Sequence, residues 1–270
     1  MTEIGSKNIP LDKPIARGRT ADIYDWDNEH VLKLFHNWFE LKNIEYELKI
    51  ARAVHASGVK APAVGELTQI GGRNGLIYER AEGESMLTMF LRKPWMVFTY
   101  SRILAKLHTQ MHDNSFEADV PDQHSKLQYK INDADVLPAS LKKSLLKKLN
   151  SMPKGDRVCH GDFHPANVLI FKKDANVIDW IDASRGNPLA DVARTTIILG
   201  GSAESRQTPS SILKIFIKLA HAEYLREYFR LRPNGMDEYR RWLPIVAGAR
   251  LNEGMPELNQ WLIQQAQKVN

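Results

Sequence analysis

Over residues 12–34 apolar residues come in short runs. Ile15-Ala16, Ile23-Tyr24 and Val31-Leu32-Lys33-Leu34-Phe35 are separated by Arg17-Gly18-Arg19-Thr20 and Asp25-Trp26-Asp27-Asn28, a pattern that predicts antiparallel strands joined by tight turns. From 39 to 56 the period changes. Ile44, Leu48, Ala51 and Val54 fall three and four residues apart, which predicts a helix, and Ser57-Gly58 followed by Pro62 ends it. Two more strand-like runs, around 63–70 and 76–79, flank the turn Gly71-Gly72-Arg73-Asn74-Gly75. Near Arg80–Glu84 the texture becomes helical. Phe98, Ile103, Leu104, Leu107 and Met111 mark an amphipathic helix over 95–112, a polar loop covers 113–124, and helical patterns return at 125–132 and 139–151. Short strands follow at 168–171 and 176–178. From Leu189 onward the pattern is helical, with breaks at 200–209 and 232–235. The expected organisation is α+β: a small lobe over 1–82 with five strands, one main helix and a hinge near 79–83, then a larger, mainly helical lobe over 83–270.

Composition narrows the partners. At 270 residues with 43% hydrophobic and 26% charged side chains, the chain can bury a sizeable core. The formal net charge is +5, but no long basic block carries it. Lys142-Lys143 and Lys147-Lys148 alternate with Leu141, Leu145, Leu146 and Leu149, as on the solvated face of an amphipathic helix. Neither a nucleic acid nor a membrane is expected as partner, and no obligate protein partner is evident. A single cysteine, Cys159, excludes an internal disulfide framework. With no apolar signal core near the start and no long apolar span, a cytoplasmic protein is expected.

The chemistry concentrates in residues 158–168, Val-Cys-His-Gly-Asp-Phe-His-Pro-Ala-Asn-Val. Asp162 precedes Asn167 by five residues, and Asp179 follows twelve residues later at the end of an apolar run. An acid, an amide and a second acid in this order suit a magnesium-assisted phosphoryl transferase. Asp162 would orient the acceptor hydroxyl and take its proton late, while Asn167 and Asp179 offer hard oxygen donors to Mg²⁺. Upstream, Lys33 in its apolar strand would aim an ammonium at nucleotide phosphates, with Glu47 preferred over Glu45 as its partner. The turn at Gly18 is placed to cover those phosphates with backbone N–H groups. No Gly-x-x-x-x-Gly-Lys-Ser/Thr pattern occurs, so a P-loop enzyme is not indicated. A second reading takes His160, Asp162 and His164 as ligands of a transition metal in a hydrolase; the remaining histidines show no matching cluster.

The order Lys33, Glu47, Leu76–Glu82, Leu104-Ala105-Lys106-Leu107-His108, His160–Asn167 and Ile178-Asp179-Trp180 through Asp191-Val192-Ala193 resembles the aminoglycoside phosphotransferase / choline kinase superfamily. These are small-molecule kinases with a protein-kinase-like two-lobe fold, and the resemblance covers most of residues 12–200. It implies Asp162 as catalytic base, Asn167 and Asp179 as magnesium ligands, and Lys33 on the α- and β-phosphates with Glu47 as its partner. It implies that Tyr78, Glu79 and Ala81 belong to a hinge that binds adenine through backbone groups. It also implies that Asp191 braces the catalytic loop. Gly161 and Trp180-Ile181 depart from the protein-kinase pattern, and only eleven residues lie between Asp179 and Asp191. That leaves little room for an activation segment and favours a small-molecule acceptor.

The expected activity is therefore transfer of phosphate from ATP, with GTP as the open alternative, to a hydroxyl of a small molecule. An inactive nucleotide-binding regulatory module is the rival class. For a cationic acceptor, Glu253 and Asp182 are the candidate carboxylates, although Asp182 also reads as a surface turn residue. Trp242, Tyr224, Tyr228 and Trp261 have the helical spacing of core positions.

Overall fold

A computed structural model describes residues 13–172, 174–205, 208 and 210–269. Residues 1–12 of the expected small lobe, and part of the expected break at 200–209, lie outside these. Strands β1 (Ala16–Arg17), β2 (Ala21–Asp25), β3 (His30–Phe35), β4 (Val64–Ile70) and β5 (Arg73–Glu79) form one antiparallel sheet in the order β1-β2-β3-β5-β4. Strand alternation puts Lys33 and Phe35 of β3 on one face and Leu32 and Leu34 on the other. Helix α1 (Leu41–Ala56) covers the first face, where its Ile44 packs with Ala21, Phe35 and Leu76. Leu32 and Leu34 pack with Ile70, Tyr24, Trp26 and Ile77 on the second. The face that buries Phe35 thus also turns Lys33 toward α1.

β5 starts three residues earlier than the apolar run suggested. The Arg73 guanidinium donates to the Phe35 and Leu34 carbonyls at 2.9 and 3.0 Å, so the turn shrinks to Gly71-Gly72. Beyond the sheet the chain runs through β6 (Glu84–Ser85), α2 (Met86–Arg92), α3 (Val97–Met111), α4 (Gln123–Asp133) and α5 (Ala139–Asn150). It continues with β7 (Arg157–Cys159), β8 (Val168–Phe171), β9 (Asp174–Val177), β10 (Ser184–Gly186), α6 (Pro188–Glu204), α7 (Ser211–Leu231), α8 (Met236–Arg250) and α9 (Asn259–Ala266). The short α2 was not anticipated. Ser85 caps it by accepting from the Thr88 N–H at 3.2 Å, and it buries Met86 and Phe90. Strands β6, β7 and β10 also escaped the sequence pattern, since two or three residues carry no usable alternation. They matter to the site, because β6-β8-β9 and the β7–β10 pair frame the segment between Cys159 and Val168.

The break expected at 200–209 is present, but it starts later, between Glu204 and Ser211. Helix α6 passes through Gly200-Gly201 and ends only at Glu204. A Cβ at Gly200 would stand 3.0 Å from the Trp261 ring, so glycine there admits α9 rather than stopping the helix. The break at 232–235 holds, with α8 entered through Gly235 in the left-handed region. Trp242, Tyr224 and Tyr228 are fully buried and Trp261 packs on the same core, as their spacing predicted. Among the described residues no helix is long and apolar enough to cross a membrane.

Candidate active site

Two residues separated widely in sequence meet first. The Lys33 ammonium donates to Glu47 Oε1 at 2.7 Å and lies 3.6 Å from Asp179 Oδ1. Burial favours the neutral amine, but the charges of Glu47 and Asp179 outweigh it and leave the Lys33 pKa raised. Glu47, not Glu45, is the partner. Tyr78, expected to act in the hinge through its backbone, also donates its hydroxyl to the same Glu47 oxygen at 2.9 Å, so its side chain props the ion pair. Its neighbours in the hinge are partly engaged in the sheet. The Glu79 N–H donates to the Ala63 carbonyl at 2.8 Å and the Arg80 N–H to that of Glu29 at 2.7 Å. Gly18 lies in the β1–β2 turn, where its N–H donates to the Ala21 carbonyl at 2.9 Å.

The loop after β7 carries the second group. The His160 Nδ1 accepts from the Asp162 N–H at 3.1 Å, and its Nε2–H donates to the Ile178 carbonyl at 3.1 Å. One neutral imidazole thus ties Asp162 to the residue before Asp179. Burial lowers the His160 pKa and keeps it neutral. Both ring nitrogens are occupied, which removes His160 as a metal ligand and with it the hydrolase reading. His164 accepts from the Ala166 N–H through Nδ1 at 3.2 Å, which leaves its Nε2–H facing Asp162 Oδ2 at 3.4 Å. Burial pushes the Asp162 carboxyl up, but the His164 hydrogen bond and the Arg194 charge, 3.4 Å away, outweigh it and hold the group well below the ordinary carboxylate range. The Asn167 amide nitrogen donates to the Asp162 carbonyl at 3.0 Å.

Gly161 explains one departure from the protein-kinase pattern. Its φ is +79° and an added Cβ would stand 2.5 Å from the Asp182 carbonyl oxygen, so any side chain meets both backbone strain and a rigid neighbour. Gly161→Ala is expected to lower stability by at least about 1 kcal/mol, a fall in Tm of roughly 2–4 °C or more. A thermal melt matching that of the parent chain would refute this.

Behind the loop, Asp191 at the start of α6 accepts from the His160 N–H at 2.7 Å and the Gly161 N–H at 2.8 Å. His108 of α3 and His112, one turn on at the helix C-cap, donate to the same carboxylate through Nε2 at 3.0 and 3.3 Å. Their Nδ1 atoms face the Tyr224 and Tyr228 hydroxyls at 2.6 and 2.8 Å. The reading that the other histidines form no cluster is therefore corrected: His108, His112 and Asp191 bring their ligand atoms within 4.8 Å of one another. Hydrogen bonds account for all of these atoms, so the cluster serves as a brace. Desolvation holds the His112 pKa down to about 3, so the ring is neutral. The four-residue spacing of two histidines on one apolar helix face was the available signal.

Asp182 does lie in a turn, but its side chain is only partly exposed. It lines a cleft beside Gly161 together with Lys126, Lys130, Arg194, Arg250 and Glu253. Arg194 was not anticipated. It donates to the Gly161 carbonyl at 2.8 Å and contacts Glu253 at 2.7 Å as well as Asp162. It comes from α6, just after Asp191, in a stretch whose pattern signals only a helix.

The donor set suits a hard cation. The Asn167 nitrogen is held by Asp162, which turns the choice of ligand atom to its side-chain oxygen, and the Asp179 carboxylate is half exposed, with Lys33 at 3.6 Å. Asp179 itself adopts φ +64°, a left-handed conformation that aspartate tolerates better than most residues. Amide and carboxylate oxygens of this kind fit Mg²⁺.

Known proteins share this framework. The sequence profile of the phosphotransferase enzyme family matches residues 13–242. No curated protein sequence matches the chain. A choline/ethanolamine kinase family protein from Mesorhizobium loti superposes with a TM-score of 0.57 at 16% identity, covering 97% of this chain and 81% of that one. An aminoglycoside phosphotransferase, APH(4)-Ia, in complex with ADP and hygromycin B gives 0.61 at 16% identity, covering 95% and 90%. A Streptomyces rimosus aminoglycoside phosphotransferase with ADP and streptomycin gives 0.53 at 17%, covering 88% and 91%. At such identities the likeness speaks for the protein-kinase-like fold. The profile match spans most of the sequence and includes both the Lys33–Glu47 pair and the Asp162–Asp179 region, and on that ground the chain belongs to the phosphotransferase enzyme family.

Proposed function

We propose that this protein transfers the γ-phosphoryl group of ATP to a hydroxyl of a small molecule. The observation that carries this reading is the approach of Lys33, on the N-terminal sheet, to Asp179, beyond the Asp162 loop, at 3.6 Å. Residues far apart in the chain thereby converge on the two ends of a phosphoryl transfer. In this reading residues up to about 82 form the nucleotide lobe and those beyond form the acceptor lobe.

Lys33, held straight by Glu47 and Tyr78, binds the phosphates, and the Gly18 turn covers them. Adenine is held by the backbone of the 79–81 hinge. No bond among the described residues uses the Ala81 backbone, so its N–H and carbonyl are free for the base. Asn167 and Asp179 hold Mg²⁺, which when bound neutralises charge on the phosphate oxygens. Asp162 orients the acceptor hydroxyl. A bond forms from the hydroxyl oxygen to the γ-phosphorus as the bond to the β–γ bridging oxygen breaks. The hydroxyl proton passes to the Asp162 carboxylate and ADP leaves. A carboxylate held so acidic is a weak base, which suits a proton transfer late in the step.

Acceptor-dependent ADP release with ATP and Mg²⁺, measured across alcohols that include amino alcohols and the aminoglycosides named for its structural neighbours, tests the proposal. Lys33→Met is expected to lower kcat/KM for ATP on the order of 10²-fold, as loss of a preorganised charge does. An unchanged kcat/KM in that variant contradicts the assignment of Lys33.

A further inference from the structure

The cleft beside Asp162 has a charge pattern that selects among acceptors. Four cations face it: Lys126 and Lys130 from α4, Arg194 from α6 and Arg250 from α8. The carboxylates that meet them are Asp182 and Glu253, with Asp162 reached through Arg194. Each carboxylate is already shared. Asp182 takes Lys126 at 3.4 Å and Lys130 at 3.5 Å. Glu253 takes Arg194 at 2.7 Å, and Lys130 and Arg250 at 3.5 Å each. Asp191 also lines the cleft, but its oxygens are occupied by loop N–H groups and histidines. A protonated amine entering here would meet carboxylates already held by cations or, at Asp191, by N–H donors, and four cations that repel it.

Two of the cations keep unfilled donors, while Glu253 Oε1, which makes no hydrogen bond, already lies against the Arg194 guanidinium at 2.7 Å. Lys130 has three N–H donors but no partner among the described residues closer than 3.5 Å. Arg250 is 9% exposed; its Nη1 donates to the Ile197 carbonyl at 2.7 Å, while its Nε makes no hydrogen bond. Crowding is visible in the titrations as well. Burial first, and then the neighbouring Lys130 and Arg194 charges, lower the Lys126 pKa against the pull of Asp182. Burial and the Arg194 charge bring Arg250 down to about 10.

Resting on the phosphotransfer reading above, we infer that the acceptor is itself an acid: a small hydroxyl compound whose carboxylate or phosphate sits between Lys130, Lys126 and Arg250 while its hydroxyl faces Asp162. The anion would complete the donor capacity of Lys130 and place a further counter-charge among the four crowded cations. A polycationic or amino-alcohol acceptor is disfavoured by the same contacts.

Binding to the full-length protein saturated with Mg-AMP-PNP tests this without depending on turnover. Isothermal titration would compare glycerate, glycerol phosphate, uncharged glycerol, ethanolamine and streptomycin. At least one of the two anions is expected to bind about tenfold or more tightly than glycerol, and neither cation more tightly than glycerol. Which anion leads separates a carboxylate site from a phosphate site. Lys130→Gln should remove most of that advantage, and Lys126→Gln provides an independent variant of the same site. Tighter binding of ethanolamine or streptomycin than of both anions, anions that bind no better than glycerol, or an anion preference untouched by both variants would each overturn the inference. The phosphotransferase reading is judged separately, by Asp162-dependent ADP release. Transfer to any alcohol upholds that reading even where the anion preference fails, and anion binding without any transfer refutes it.

Discussion

Replacing Asp162 by alanine should reduce phosphoryl transfer at least about 10²-fold, the low end for loss of a general base, while Mg-nucleotide binding persists. The side chain stands where the loop meets Arg194 of α6, next to the cleft proposed for the acceptor, and its neighbouring carboxylates are engaged elsewhere. Asp182 is held by Lys126 and Lys130, and Glu253 by Arg194. Single-turnover kinetics together with nucleotide titration separate the two effects. An unchanged rate would remove Asp162 from the reaction, and lost nucleotide binding would point to a folding defect. A pH corollary accompanies this. Burial alone would raise the carboxyl, but the His164 bond and the Arg194 charge keep it well below its usual range, so Asp162 stays ionised through mildly acid and neutral solution. The pH–rate profile should show no inflection from this group between about pH 5 and 8, since an unperturbed aspartate already titrates near 4. An inflection near neutrality that shifted on Arg194→Met would contradict the geometry.

The second large effect is expected on stability. Asp191→Ala removes the acceptor of two backbone N–H groups and of two buried imidazoles at once. Leaving buried donors without partners, in a site where one charge organises several groups, should cost about 3 kcal/mol or more. In a chain of this size that corresponds to a fall in Tm on the order of 10 °C. Calorimetric unfolding measures it, and a shift within a degree or two would show that the brace is dispensable. The sign of the pH dependence follows from the same site. Burial alone raises the Asp191 carboxyl, but the His108 and His112 hydrogen bonds outweigh it and hold the group well below its ordinary value. Its stabilisation is therefore present above the unfolded pKa of about 4 and is lost as the pH falls toward the folded one. Parent and variant should converge in stability only in strong acid.

Where the chain repeats a periodicity long enough to read, the elements were legible. Helix α1, the long α3 and the strands of the first sheet follow from Ile44, Leu48, Ile103, Leu104 and the β3 run, whereas Phe98 of α3 faces outward. Elements of two or three residues, and the seven-residue α2, lack a full period, and tertiary pairing makes them. Gly200 misled for a related reason: a glycine that admits the Trp261 ring looks, in one dimension, like one that ends a helix. Asp182 reads as a turn residue and is one, but its lysine partners lie more than fifty positions upstream on α4, beyond any local pattern.

The linear sequence determined the chemistry on offer. The local spacing of Asp162, Asn167 and Asp179, a lysine set in an apolar strand, and the resemblance those residues carry were enough to indicate phosphoryl transfer. Short-range order decides such features, since five residues of loop or one strand's alternation position them. Only the tertiary structure decided which charges neighbour one another. It joined Lys33 to Glu47 and Asp179, turned two histidines and two tyrosines into a brace around Asp191, and gathered Lys126, Lys130, Arg194 and Arg250 around two paired carboxylates. Coulombic interaction and desolvation depend on distance and burial in space. The charge that lines the cleft beside Gly161 is therefore a property of the packed helices α4, α6 and α8.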